Sequence, residues 1–307
     1  MSKVLIATDK PFAPAAVNQI REIIENAGFE LALLEKYTET AQLLEAVADA
    51  DALIVRSDKI TAEVIAAAKN LKVVVRAGAG YDNLDLAACS ANNVVAMNTP
   101  GQNSNAVAEL AIGMMVFQAR GQFNGKAGSE LMGKKIGIHA YGNVGRGVAR
   151  IAKGFGMEVY AFDPFISDEK IKDDGVTPLA SMEELYSTCQ YISLHIPATE
   201  QTKNSINFDL LNTMPQGATL VNTARKEVVC EEGLIQLFES RKDFTYISDI
   251  APNNAQEIAE KFEGRFYFTP KKMGAQTSEA NINAGVAAAN QIVACIKDGD
   301  ETYRVNK

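Results

Sequence analysis

The chain has no C-x-x-C pair, no apolar run long enough to cross a membrane and no excess of positive charge. Its four cysteines, Cys89, Cys189, Cys230 and Cys295, are scattered over 307 residues. That spacing sets aside a paired-cysteine site and fits a reduced, cytoplasmic chain in which each thiol is a small buried hydrophobe. No stretch reaches the roughly 18 apolar residues of a membrane-spanning helix. The opening MSKVLIATDK runs straight into a strand without the apolar segment of a secretory signal. Lysine and arginine number 30 against 38 acidic residues, a formal net charge of −8. A general nucleic-acid binder needs a basic surface to displace counterions, so that class is set aside. Any anionic ligand must be held by a local cluster of cations. Internal repeats and low-complexity tracts are absent too. What remains is 47% hydrophobic and 22% charged, the composition of a soluble globular chain long enough for two domains.

Strand-like runs at 4–7, 52–55, 73–75 and 94–97 alternate with helix-like ones. In 13–28, Val17, Ile20, Ile23, Ile24 and Ala27 recur at helical spacing and Gly28 supplies the stop. This alternation predicts βαβ units and a parallel sheet. A long helix candidate at 105–119 interrupts the rhythm. A second series of strands then starts at 134, 158, 191, 218 and 245, and 279–299 reads as a closing helix. Two sheets in series predict two doubly wound α/β domains of Rossmann or flavodoxin-like type. Near the end, the aromatic run 266–268 reads as a buried strand opening onto TPKKMGAQT, a loop with two adjacent lysines.

After the strand at 135–139 comes AYGNVGRG. Gly142 and Gly145 stand three apart at the start of a helix, with Asn143 and Val144 between them and Asp163 18 residues further on, at the end of the next strand. This is the layout of a dinucleotide-binding βαβ unit, in which the backbone approaches a pyrophosphate at the helix N-terminus. Asp163 would accept from the adenosine ribose hydroxyls and repel a 2′-phosphate, which favours NAD. One position departs from G-x-G-x-x-G: the first glycine is Ala140, acceptable at negative φ and costly otherwise.

With these residues in place, the chain resembles the D-2-hydroxyacid dehydrogenase family, and within it the 3-phosphoglycerate dehydrogenase branch. The segments that carry the resemblance are VVVRAGAGYDNLDL (73–86), NTPGQNSNAVAEL (98–110), GKKIGIHAYGNVGR (133–146), AFDP (161–164), SLHIPATEQTKNSIN (193–207), LVNTAR (220–225) and TPKKMGAQT (269–277). The resemblance implies a discontinuous substrate-binding domain, 1–98 plus 282–307, and an NAD-binding domain over 99–281, with an active-site cleft between them. It carries Asn103, His195, Pro197, Thr202, Thr223, Ala224, Asp249 and Gly274 to the cofactor, with His195 structural rather than a proton carrier. It also implies a homodimer, although the segment 120–134 is about a dozen residues shorter than its family counterpart.

Oxidising a 2-hydroxy acid requires an anchor for the carboxylate, a donor to the 2-oxo group and a general base. The resemblance assigns the anchor to Arg225, whose planar fork suits a carboxylate. The family's base is a histidine in T-P-H-x-G, oriented by a glutamate five residues after the aspartate that matches Asp249. Here Asn254 stands at the glutamate's position, and Lys271 or Lys272 at the histidine's. The two changes agree physically. A lysine starts near pKa 10.4 and must come down to work near neutrality; burial and Arg225 would lower it, whereas a glutamate would raise it. Lys226 and Cys230 replace a usual glycine and a usual Asp or Asn, and Lys226 either adds charge to the site or points outward. Arg56, Ser57, Lys59 and Arg76 could gather round a phosphate, with the Gly78 and Gly80 backbone holding the carboxylate and Ala77 among the substrate-binding residues. The expected reaction is NAD-dependent oxidation of a phosphorylated 2-hydroxy acid at the start of serine synthesis, without metal. The rivals are a glyoxylate or hydroxypyruvate reductase and an inactive NAD-sensing binding protein.

Overall fold

The computed structural model describes residues 1–307 and comprises two compact units, Met1–Asn103 with Thr277–Lys307, and Ser104–Gln276. The first begins with β1 (Lys3–Thr8), α1 (Pro14–Asn26), β2 (Glu30–Glu35), α2 (Thr40–Val47) and β3 (Ala52–Val55). It continues with α3 (Ala62–Ala67), β4 (Val73–Arg76), α4 (Leu86–Ala91) and β5 (Val95–Asn98). The second holds α5 (Ser104–Ala119), β6 (Lys135–His139), α6 (Asn143–Gly154), β7 (Glu158–Phe162), α7 (Asp168–Asp173), β8 (Thr177–Pro178), α8 (Met182–Thr188) and β9 (Tyr191–Leu194). After them come α9 (Phe208–Asn212), β10 (Thr219–Asn222), α10 (Glu231–Ser240), β11 (Thr245–Ser248), α11 (Ala255–Lys261) and β12 (Phe266–Phe268). The last helix, α12 (Ser278–Asp298), belongs to the first unit.

The strand orders are β2-β1-β3-β4-β5 and β12-β11-β10-β9-β6-β7-β8, parallel at every pairing. Both are doubly wound orders, and the second reverses direction at β6. The central strands are buried along their length and mostly apolar because helices cover both faces. Ala52 to Val55 and Tyr191 to Leu194, for example, are all buried. One face of the first sheet packs on α1 and α12 through Ile20, Ile24, Ala288 and Ile292; the other packs on α2, α3 and α4 through Leu43, Val64 and Cys89. In the second unit, α5 and α6 cover one face with Ile112, Met115 and Val148, and α8 to α11 cover the other with Leu185, Leu211, Phe238 and Ile258.

The expected strands and the helices at 13–28, 105–119 and 279–299 are all present. Two differences lie at sheet edges. β2 was not separable in the sequence: it is an edge strand whose ELALLE carries one buried residue among half-buried and exposed ones. β12 forms where expected, but it is the outermost strand, half-buried along its length rather than buried, because only β11 lies beside it.

Candidate active site

The turn between β6 and α6 is built for a ligand's backbone. Gly142 caps α6 with no side-chain cap, which leaves the first N–H groups of a 12-residue helix to an outside acceptor. A Cβ at Gly142 would meet nothing within 4 Å, so the space in front of the helix is open. At Gly145 a Cβ would fall 2.3 Å from Ala140 O and 2.9 Å from Ile138 Cγ2; glycine there lets α6 sit down on β6. Ala140 adopts φ +77, so the tight turn of the fingerprint is kept although its residue is an alanine. The strain costs about 1–2 kcal/mol.

Asp163 ends β7 beside this turn. Its Oδ2 accepts from Tyr141 N (2.7 Å) and its Oδ1 from Phe165 N (2.8 Å). Each oxygen keeps a lone pair, and the carboxylate is held rigidly where a ribose diol would donate to it. The residues therefore fit a dinucleotide. His195 N donates to His139 O (2.9 Å), and its Nε2 lies 3.0 Å from Ser193 Oγ. Burial pushes His195 down to about 3, helped by His139, and pushes His139 itself down to about 4. Both imidazoles are neutral at physiological pH. Thr202 Oγ1 accepts from Thr199 N (2.7 Å) and donates to Pro197 O, so it braces its own loop. Thr223 Oγ1 is buried with no hydrogen-bond partner.

Three adjacent strands, β10, β11 and β12, end at one level, with Asn222 paired to Ser248 and Ser248 to Phe268. Their following turns emerge side by side. The first carries Thr223, Ala224 and Arg225 and is gripped by buried Asn222, which accepts from Ala224 N (2.9 Å) and donates to Arg225 O (2.9 Å). The Arg225 side chain reaches its own chain only through Nη1 to Ala224 O (3.0 Å). The third carries the lysines and is knotted on Asp249, 1% exposed. Asp249 accepts from Thr269 Oγ1 (3.0 Å), Met273 N (2.7 Å) and Gly274 N (2.8 Å). Gly274 has no room for a Cβ, which would lie 2.9 Å from Asp249 Oδ2. Asp249 and Gly274, carried over as cofactor residues, are thus the clamp of the lysine loop. Lys271 and Lys272, between the clamped ends, are both exposed, so the burial expected from the sequence is not found. Lys226 Nζ donates to Asn253 Oδ1 (2.6 Å), a clasp onto the middle turn. Asn222 and Thr269 were given no role in the sequence, although both lie in the quoted motifs; a polar residue closing an apolar strand was the available signal.

In the first unit, Arg56 and Arg76 leave neighbouring strands, and Arg76 Nε donates to Arg56 O (3.1 Å). Arg56 is largely committed. Its Nη1 donates to Lys10 O (2.8 Å) and Pro11 O (3.0 Å), its Nη2 to Asn281 Oδ1 (2.6 Å), and its guanidinium lies over the Phe12 ring. It braces α12 and has only Nε–H and one Nη2–H left for a ligand. Ser57 and Lys59 are exposed, Ala77 and Gly78 buried. Gly78 has φ +148, and a Cβ there would strike Arg76 Nη1 at 1.6 Å, so the guanidinium rests on the bare Cα. Asn103 makes no side-chain bond that would fix its amide, and Asn98 Nδ2 holds the neighbouring loop through Ala79 O (2.6 Å).

A doubly wound sheet with an open helix N-terminus and an aspartate held at the end of the next strand defines a dinucleotide-binding domain. Residues 106–269 match the D-isomer specific 2-hydroxyacid dehydrogenase NAD-binding domain. The chain is 34% identical over 281 residues to a hydroxypyruvate reductase of Thermotoga maritima, covering 86% of this chain and 90% of that one. It is 34% identical over 267 residues to a D-3-phosphoglycerate dehydrogenase of Synechocystis, covering 82% of this chain but only 48% of that one. A crystal structure of NAD+-bound 3-phosphoglycerate dehydrogenase from Entamoeba histolytica is similar along 100% of this chain and 99% of that one, at 48% identity and TM-score 0.89. The chain belongs to the D-isomer specific 2-hydroxyacid dehydrogenase family, and NAD is its cofactor. No helix is long and apolar enough to cross a membrane.

Proposed function

We propose that the chain oxidises 3-phospho-D-glycerate to 3-phosphohydroxypyruvate, with Arg225 anchoring the substrate and a lysine of the Lys271-Lys272 pair as acid/base. The observation that carries this reading is the side-by-side exit of the Arg225 turn and the lysine loop, each fixed from behind by a buried side chain, Asn222 and Asp249. A fork that reaches only its own chain can take the carboxylate and the 2-oxygen together. Bound NAD supplies the hydride acceptor. As the C2–H bond breaks, the hydroxyl proton passes to the lysine amine, and the Arg225 charge stabilises the developing carbonyl dipole. Both lysines are exposed, so bound substrate and cofactor must exclude the water that keeps an ammonium charged.

Lys59, Ser57, Arg76 and the spare donors of Arg56 are the proposed phosphate ligands. The 48% identical relative named for phosphoglycerate supports this choice, whereas the relative named for hydroxypyruvate favours a reductase of the unphosphorylated acid. NADH oxidation with phosphohydroxypyruvate against hydroxypyruvate decides between them. Losing one charged phosphate contact should cost about tenfold or more in kcat/KM. Equal or better turnover of hydroxypyruvate moves the assignment to the reductase, and NADH binding without turnover of either moves it to a sensor. A homodimer in the cytoplasm belongs to the same proposal; the exposed Phe123 (65%) and Met132 (71%) in the short 120–134 segment support the dimer, which sedimentation would detect.

A further inference from the structure

Asp58 is a buried carboxylate, 6% exposed, inside the group of cations proposed above for the substrate phosphate. It lies between Ser57 and Lys59 and two residues after Arg56. By itself a negative charge there opposes an anion. Its hydrogen bonds act the other way. Asp58 Oδ1 accepts from Asp9 N (2.7 Å) and from Tyr37 OH (2.7 Å), and Oδ2 takes a longer contact from Arg56 N (3.4 Å). Its backbone carbonyl accepts from Asn83 Nδ2 (2.7 Å), which also reaches Arg56 O (3.3 Å). Burial, and then the bond to Asp58, push the Tyr37 phenol up, so its O–H stays a donor. Asp9 follows β1, Tyr37 follows β2, Asp58 follows β3 and Asn83 follows β4. One residue therefore ties together the turns at the carboxyl ends of four neighbouring strands. The strand order β2-β1-β3-β4-β5 reverses between β1 and β3, the place where an open parallel sheet receives its ligand.

We infer that Asp58 is the positioning residue of the phosphate site, and that with Tyr37 it sets the preference for a phosphorylated substrate. The inference rests on the phosphate reading above and deepens it. Asp58 does not touch the ligand, because its Oδ1 is filled by two short bonds and the residue is buried. It acts through Arg56, Ser57 and Lys59, whose main chain it holds from behind. Ser57 and Lys59 are exposed, so the course of the turn decides where their hydroxyl and ammonium stand. The far side of the turn is tied by Ile60 N to Asn83 O (2.9 Å) and by Arg76 Nε to Arg56 O (3.1 Å), so Arg76 shares its position. A binding group misplaced by about 1 Å can cost up to about a hundredfold in rate.

The test is the ratio of kcat/KM for phosphohydroxypyruvate to that for hydroxypyruvate, with NADH, in wild type, Tyr37→Phe and Asp58→Asn. Tyr37→Phe removes one donor and keeps the charge. Asp58→Asn keeps an oxygen for Asp9 and Tyr37, sets an amide N–H against Arg56 N–H and removes the negative charge. The ratio should fall about threefold in Tyr37→Phe and about tenfold in Asp58→Asn, through KM for the phosphorylated substrate. NADH affinity should be retained, since the dinucleotide turn belongs to the other unit. The sign discriminates. A carboxylate acting through its charge alone would raise the ratio when neutralised, and one needed only for folding would lower turnover of both substrates alike. Either result, or an unchanged ratio in both variants, overturns the inference; if Asp58→Asn does not fold, Tyr37→Phe decides alone. A wild type without preference for phosphohydroxypyruvate refutes the phosphate reading itself, and this inference with it.

Discussion

Gly142 and Gly145 belong to one fingerprint, and the structure predicts opposite consequences for adding a methyl group to each. At Gly145 the added carbon meets main-chain oxygen at 2.3 Å, and no rotamer of a neighbour can relieve that contact. Overpacking of this kind costs about 1–3 kcal/mol and more when backbone must move. Alanine in a helix interior recovers about 1 kcal/mol of propensity. Gly145→Ala should therefore be destabilised by about 2 kcal/mol and should bind NADH weakly, because α6 is lifted off β6. At Gly142 the backbone sits at φ −79 and ψ −157, which alanine adopts freely, and the new methyl meets no protein atom. Gly142→Ala should keep or slightly raise stability, by up to about 1 kcal/mol. It should still lose about tenfold or more in NADH affinity, since the methyl would stand in the open space through which a pyrophosphate would approach the helix N-terminus. Urea denaturation and NADH fluorescence titration on the two variants separate the effects. Wild-type NADH affinity in Gly142→Ala, or wild-type stability in Gly145→Ala, would refute this reading of the turn.

The histidines set an acid limit. His139 is 5% exposed and titrates at about 4 in the fold, against about 6.5 when unfolded, so protons favour the unfolded chain below that value. Stability is complete above about pH 6.5 and falls through the window down to about 4, with roughly 2 kcal/mol gone at pH 5. Urea midpoints at pH 7 and pH 5 should show the drop in wild type and a smaller one in His139→Gln; an equal drop in both would discard the imidazole as its source. Asp249→Asn should set an amide N–H against Met273 N or Gly274 N and cost about 1–3 kcal/mol. Turnover should fall with it, and unchanged kcat would show that the clamp does not position the lysines. Arg56→Met should weaken the hold on α12 through Asn281 and lower the thermal midpoint even without ligand; an effect on KM alone would make Arg56 purely a substrate ligand.

The doubly wound architecture was legible because central parallel strands are apolar on both faces and their helices carry an apolar stripe; Ile20 and Ile24 show the stripe in α1. The edge strand β2 was not, since it buries a single residue and lacks that signature; β12 was legible as a strand, but not its half-buried place at the sheet edge. Asp163 and the two glycines were legible from spacing, because a pyrophosphate turn admits few residue types. The positive φ of Ala140 was not, as no rule of composition places an alanine in the left-handed region. For Arg56 the residue type pointed to an anion, but only the fold shows its donors committed to Lys10, Pro11 and Asn281. Lys226 likewise reads as charge in the sequence and as a clasp on Asn253 in the structure.

The central claim is that a lysine of the loop clamped on Asp249 moves the substrate proton. Single-turnover NADH oxidation with phosphohydroxypyruvate, on wild type, Lys271→Ala and Lys272→Ala, tests it most directly. The account predicts that one alanine variant, Lys271→Ala first, loses about 10² or more in rate while binding NADH as wild type does. Both variants within threefold of wild type would contradict it and return the two lysines to the surface.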